Sequence, residues 1–217
     1  MSTPPRRESE PRWPASIALL GASGLFFALP DSLKVGPDWL ILVLVAALAI
    51  PPLVLPHKRH LLIIQLCGHA AVGVITLGML ASLGLLLARL PSHKETPIEL
   101  LRAAGALWIT NVLVFAAWYW RLDAGGPHQR DLRRCHTDGA FLFPQMVLDP
   151  AIREEMGEGD WSPNFVDYLF LAFNTSTAFS PTDVPVLSRW AKGLMMIQSV
   201  ISLTTIAILA ARAVNIL

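Results

Sequence analysis

The chain has 217 residues, 53% of them hydrophobic and only 15% charged, with 17 Lys and Arg against 16 Asp and Glu. A water-soluble domain carries roughly 25% charged residues, so this chain has too few to cover a surface that faces water. Its length allows about five or six membrane spans at roughly 20 residues each. The net charge of +1 gives no footing for a nucleic acid, and none is expected as a partner.

Residues 1–13 hold Pro, Arg and Glu without a short apolar stretch before a small-residue cleavage site. They read as a retained, partly disordered tail and not as a signal peptide. Residues 14–122 form a region of four apolar segments. The first, from about Pro14 to Pro30, is short. The second runs from Trp39 to about Pro56, and Pro51-Pro52 is expected to kink or end it. The third, Leu61 to Leu90, is long enough to tilt. Its Gly78 and Ser82 have the small-xxx-small spacing that lets helices approach closely. The fourth, about Ile98 to Trp120, ends in Trp118-Tyr119-Trp120, as suits a membrane–water interface. Asn111, in mid-span, is expected to make an interhelical hydrogen bond. A polar loop, 123–160, follows and ends in the acidic stretch REEMGEGD. The last clear span is about Leu194 to Ala211.

Residues 161–217 hold the least ordinary stretch. The apolar part from Phe165 to Phe173 would rise about 13 Å as a helix, less than half of a hydrocarbon core. Ser162-Pro163 is a good helix start. The polar run Asn174, Thr175, Ser176 and Thr177 makes a poor lipid-facing helix, and Pro181 ends any helix before it. Non-helical backbone is tolerated at membrane depth only where protein or a water-filled cavity satisfies it. A short helix, a polar turn and a full span therefore predict a re-entrant loop. The expected fold is all-α and multi-pass, with five spans plus a re-entrant helix and turn, or six spans if 165–180 crosses.

The segment NFVDYLFLAFNTSTAFSPTDVPVLSRWAKGLMMIQSVISL, 164–203, resembles the pore module of potassium channels in order and spacing. That module has a pore helix, a Thr-rich turn, a filter ending in Asp, and an inner helix. With DYLFLAF (167–173), SPTD (180–183) and ARAVNIL (211–217), the last third also resembles an uncharacterised bacterial family of multi-pass membrane proteins, a domain of unknown function. The resemblance implies an ion pathway along Asn174, Thr175, Ser176, Thr177, Ala178, Phe179, Ser180 and Asp183. It also implies a homo-oligomer, a tetramer by analogy, and a monovalent cation as the permeant species. The potassium filter reads Thr-x-Gly-Tyr-Gly-Asp, whereas here Ser180 and Thr182 fall on its glycine positions. No glycine occurs between Gly159 and Gly193. Successive carbonyls then lack the freedom to turn toward one ion, so weak selectivity is expected.

Several residues carry two readings. Asp167 suits either a wet or protein-lined site or a helix-start carboxylate favoured by the macrodipole. Asp183 suits a cation vestibule or the cap of the last helix. Thr175, Ser176 and Thr177 either line a conduit or bond back to their own backbone. Thr204 and Thr205 are expected at helix–helix contacts, and Arg212 and Asn215 as interfacial anchors. Cys67-x-His69 and Cys135-His136 lack the second pair that a structural zinc site needs, so no metal, cofactor or disulfide is expected, and His69 reads as a helix-packing histidine. No H-E-x-x-H or G-x-S-x-G occurs, so no enzyme is expected.

Ten basic residues fall in the N-terminus, the 57–60 turn and the loop after the fourth span, including Arg12, Arg121, Arg130, Arg133 and Arg153. The positive-inside rule places that side in the cytoplasm, in the plasma (inner) membrane. A weakly selective cation pore is the leading expectation. A non-conducting scaffold or regulatory protein of pore-like fold and a small-solute transporter built on broken helices are the alternatives.

Overall fold

The computed structural model describes residues 10–54, 57–89, 96–133, 136, 138–177 and 184–214. Among these the regular secondary structure is helical apart from a single antiparallel bridge between Phe141 and Val186. The long elements are α1 (Trp13–Gly24), α2 (Trp39–Val54), α3 (His57–Arg89) and α4 (Pro97–Leu122). After a loop with three short helices, α5 (Pro127–Asp131), α6 (Pro144–Val147) and α7 (Pro150–Glu155), come α8 (Phe165–Thr177) and α9 (Arg189–Val214). Among the described residues three stretches are long and apolar enough to cross a membrane, His60–Arg89, Pro97–Gly125 and Arg189–Ala211. These make the chain compatible with a bilayer. The apolar helices Trp13–Ala28 and Trp39–Pro51 are shorter.

Local chemistry sets several of the helix ends. At the start of α4, Thr96 Oγ1 accepts from the Glu99 N–H at 3.4 Å. Glu99 Oε2 accepts from the Thr96 N–H at 2.9 Å, which closes a capping box and satisfies two of the helix's open donors. Ser188 Oγ caps α9 by accepting from the Ala191 N–H. Pro51-Pro52 does not stop α2, which runs on to Val54. In α3 the backbone at His60 leaves helical values (φ −128°, ψ 29°), so the regular span begins there.

Helix α4 is the centre of the bundle. Two-thirds of its most apolar window (67%) is buried, against 39% for α3 and 28% for α9. It packs against α1, α3, α8 and α9, while α2 lies on α1 and α3. Gly78 lets α3 approach closely, since a Cβ there would stand 2.7 Å from Ile41 Cδ1 and 3.1 Å from Phe26 Cζ. Ser82, one turn on, is buried in the same packing. Trp118 Nε1–H donates to Thr76 Oγ1 at 3.0 Å, joining α4 to α3.

The loop after α4 folds back over one end of the bundle and gathers other segments there. The Glu10 N–H donates to Asp131 Oδ1 at 3.0 Å, and Arg12 pairs with Asp131 at 3.3 Å, so the approach to α1 lies at this end. The Leu142 N–H donates to the Pro185 carbonyl (2.9 Å) and the Leu187 N–H to the Ala140 carbonyl (2.8 Å). The chain entering α9 is thereby tied to the same loop. Helix α8 begins at this end too, with Phe165 edge-on to Trp120 at 6.0 Å. Its far end meets Trp108 and Ser202, about midway along α4 and α9. Ala172 and Ser176 of α8 pair with Gln198 and Ser202 of α9, so the two helices run parallel.

Candidate functional site: a polar seam beside a half-length helix

The polar run predicted as a turn is helical as far as Thr177. The hydroxyls themselves account for the difference. Thr175 Oγ1–H donates to the Leu171 carbonyl at 2.8 Å and Thr177 Oγ1–H to the Phe173 carbonyl at 3.0 Å. Such bonds to the carbonyl four residues back let hydroxyl side chains stay in a helix within an apolar setting. Of the two readings carried for these threonines, the hydroxyls show the backbone-bonded one.

Ser176 takes part in a seam between α8, α4 and α9. Gln198, fully buried on α9, donates from Nε2 to the Ala172 carbonyl (2.7 Å) and to Ser176 Oγ (2.8 Å). Its Oε1 accepts from the Tyr119 hydroxyl at 2.5 Å. One turn along α9, Ser202 Oγ–H donates to the Ser176 carbonyl at 2.7 Å and accepts from Trp108 Nε1–H at 2.9 Å. Asn111 Nδ2 donates to the Gln198 backbone carbonyl at 3.2 Å, the interhelical bond expected of it, while its Oδ1 is buried without a partner. An amide buried in apolar surroundings is costly unless its donors and acceptors are met. Gln198 meets that demand with three partners on two other helices.

The predicted pathway residues therefore separate. Thr175 and Ser176 are buried and bonded inside the chain. Asn174 is half-buried and makes no side-chain hydrogen bond among the described residues, and Thr177 is exposed. Ala178, Phe179, Ser180 and Asp183 lie outside the described residues, as do Cys135 and Asn215. Asp167 Oδ2 accepts from the Asn164 N–H at 2.7 Å, and Asn164 Oδ1 from the Val166 N–H at 2.8 Å. Asp167 is thus a helix-start carboxylate, and Asn164 stands at the cap, beyond the Ser162-Pro163 predicted for it. On α9, Thr205 is buried and Thr204 half-buried, each bonded to its own helix. His69 Nδ1 lies 2.7 Å from the Gln65 carbonyl of its own helix, with its ring 6.1 Å from that of Trp118.

Above the seam, a buried ionic cluster fixes where α8 starts. Asp123 accepts from the Ala140 N–H (2.5 Å) and from the Tyr168 hydroxyl (2.6 Å). Arg130 donates to the carbonyls of Trp120 (2.8 Å) and Asp123 (3.0 Å), and pairs with Glu10 at 3.0 Å. Its guanidinium lies 5.1 Å over the Tyr168 ring. Trp120 Nε1–H also donates to Glu10. His136 is buried between Phe143 and Trp161, with Nε2 3.8 Å from Asp123 and neither ring nitrogen hydrogen-bonded among the described residues. Burial pushes its pKa below the ordinary histidine value, although Asp123 opposes the shift. Burial likewise raises the Glu10 carboxyl above its ordinary range, opposed by Arg130.

Neither network was foreseen. For the seam, the available signal was Gln198 and Ser202 one turn apart in a largely apolar helix, which places two polar groups on one face. For the cluster, it was the pair Gly125-Gly126, both at positive φ, which turns the chain sharply back over α4. No family model, curated protein or solved structure matches this chain.

Proposed function

We propose that the chain is a multi-pass membrane protein in which α8 is a re-entrant half-helix, and that copies assemble around an axis as a weakly selective cation pore. One observation carries the reading. Helices α8 and α9 start at the same end of the bundle and run parallel, yet α8 reaches only midway. A helix of 13 residues rises about 20 Å, too little to cross a hydrocarbon core of about 30 Å. Its outer face carries exposed Val166, Phe170 and Phe173, and α9 exposes Met196, Val200 and Leu203 alongside. Those apolar faces suit lipid or a neighbouring copy. Asn174 and Thr177 are the polar side chains of the run left facing outward, where a conduit between copies would find them. Of the predicted path, this reading keeps Asn174 and Thr177 and drops Thr175 and Ser176, while Ala178, Phe179, Ser180 and Asp183 lie outside the described residues.

Purified protein in liposomes should show a modest flux of sodium and potassium with little discrimination. Thr177→Val, which removes the oxygen at nearly constant volume, should reduce it. A monomer by native mass measurement in both detergent and nanodiscs would count decisively against the pore. A second reading, a non-conducting scaffold of similar fold, is favoured by the internal bonding of Thr175 and Ser176, which leaves fewer oxygens for an ion. A correctly assembled oligomer with no flux for any small ion would select it.

The loop end is the side rich in Lys and Arg, which supports its placement in the cytoplasm. The N-terminus would lie there and the C-terminus on the opposite side.

A further inference from the structure

A cavity of about 70 Å³ opens at the loop end between α1, α3 and the turn after α4. Two arginines, Arg12 and Arg121, line it together with Ser16, Gln65, His69 and His128, and no carboxylate does. Arg12 is already paired with Asp131. Arg121 is not paired: among the described residues it makes no hydrogen bond or ion pair, and its Nε is buried without a partner. Its contact of note is with the Trp120 ring, 5.3 Å from the guanidinium carbon. The seat for this guanidinium is shaped by two glycines. A Cβ at Gly68 of α3 would collide with it, and a Cβ at Gly126 would press on the Arg121 carbonyl at 2.8 Å.

Arg121 is half-buried, with its Nε shut off from water and no counter-charge among the described residues, and the cation–π contact does not supply the acceptors its donors lack. An anion in the cavity would supply the missing acceptors in the geometry that arginine favours. The space is much smaller than the several hundred Å³ of a pocket for an organic ligand, so it suits one compact oxyanion and not a whole substrate. The same stretches of α1 and α3 carry exposed Ile17, Leu62 and Leu66, a surface for hydrocarbon beside the charged cavity. Arg121 follows the last aromatic of an apolar span, the depth at which headgroups meet the protein.

We infer that this cavity binds the phosphate of an anionic phospholipid, with Arg121 as its main partner and Arg12 as the second charge, while the acyl chains lie along α1 and α3. The phosphate oxygens accept from the Arg121 guanidinium. This site is independent of whether the protein conducts ions.

The test uses the full chain, delipidated in a mild detergent, with three probes: short-chain phosphatidylglycerol, short-chain phosphatidylcholine and inorganic phosphate. Native mass measurement and thermal shift should both show saturable binding of phosphatidylglycerol, in preference to the other two. Arg121→Gln should weaken it by about tenfold, as loss of a charged hydrogen-bond donor does. Should that variant not fold, Gly68→Ala gives the same comparison, since it keeps both charges but displaces the guanidinium. Equal response to inorganic phosphate would overturn the lipid assignment. Unchanged phosphatidylglycerol binding in a folded variant, or no saturable binding at all, would overturn the site.

Discussion

Gln198 is the residue on which most of the interior polar chemistry converges. Replacing it with Leu strands the Tyr119 hydroxyl and removes one partner each of the Ala172 carbonyl and Ser176. Interhelical hydrogen bonds within membranes are modest singly, averaging about 0.6 kcal/mol, and several share this side chain. Gln198→Leu should therefore destabilise the protein by about 1–3 kcal/mol in reversible denaturant unfolding, and Tyr119→Phe by less. The two effects should be less than additive, because they share a bond. His136 makes a different demand. Its depressed pKa means that below the ordinary value of 6.5 the unfolded chain takes up a proton more readily than the folded one. The stability this histidine contributes is present above that value and is lost as pH falls through it. Melting temperature should drop as pH falls below about 6.5, and His136→Gln should flatten the drop. The comparison with the variant matters, since the raised pKa of Glu10 acts in the opposite sense, losing stability as pH rises above 4.5.

At the scale of elements, apolar runs and small-residue spacing were legible in the sequence. The third and fourth segments, read as 61–90 and 98–120, correspond to α3 and α4, and the spacing of Gly78 and Ser82 does mark a close approach. Gly78→Val should force Ile41 and Phe26 aside and cost about 1–3 kcal/mol, with α2 and α3 showing faster amide exchange while α8 and α9 do not. The polar run of α8 was misread because hydroxyl groups signal a turn in water. In the bundle, the carbonyls of Leu171 and Phe173 accept those hydroxyls, and Ser202, 26 residues further on, bonds the Ser176 carbonyl. That last bond comes from a helix the local pattern does not contain. The ionic cluster was illegible for the same reason, since Glu10 and Arg130 are 120 residues apart.

For the whole molecule, the meeting of residues 10–12 with 130–131 places the N-terminal approach and the long loop at one end of the bundle. The two should therefore label from the same side of a membrane whichever side that is. With Cys67 and Cys135 replaced, a single cysteine at exposed Asp138 should resist a membrane-impermeant thiol reagent applied to intact cells. One at exposed Val35, in the turn between α1 and α2, should react. The reverse pattern would invert the proposed orientation. Equal labelling at both sites would contradict the placement of these segments at opposite ends.

The shared direction of α8 and α9 also has an electrical consequence. Aligned peptide dipoles leave the carboxyl end of a helix with about half a negative elementary charge. In α9 that end lies beyond the bundle's midpoint, but in α8 it falls at the level of Trp108 and Ser202, about midway along the bundle. The hydroxyls of Ser202 and Ser199 answer the carbonyls of Ser176 (2.7 Å) and Thr175 (3.5 Å), while the field of the aligned dipoles persists at that end. Half-helices that end inside a bilayer are suited by this field to receive a cation and to repel an anion. The preference would then be written in backbone, not in side chains. Replacing Thr177 should lower the rate of cation passage without reversing its sign.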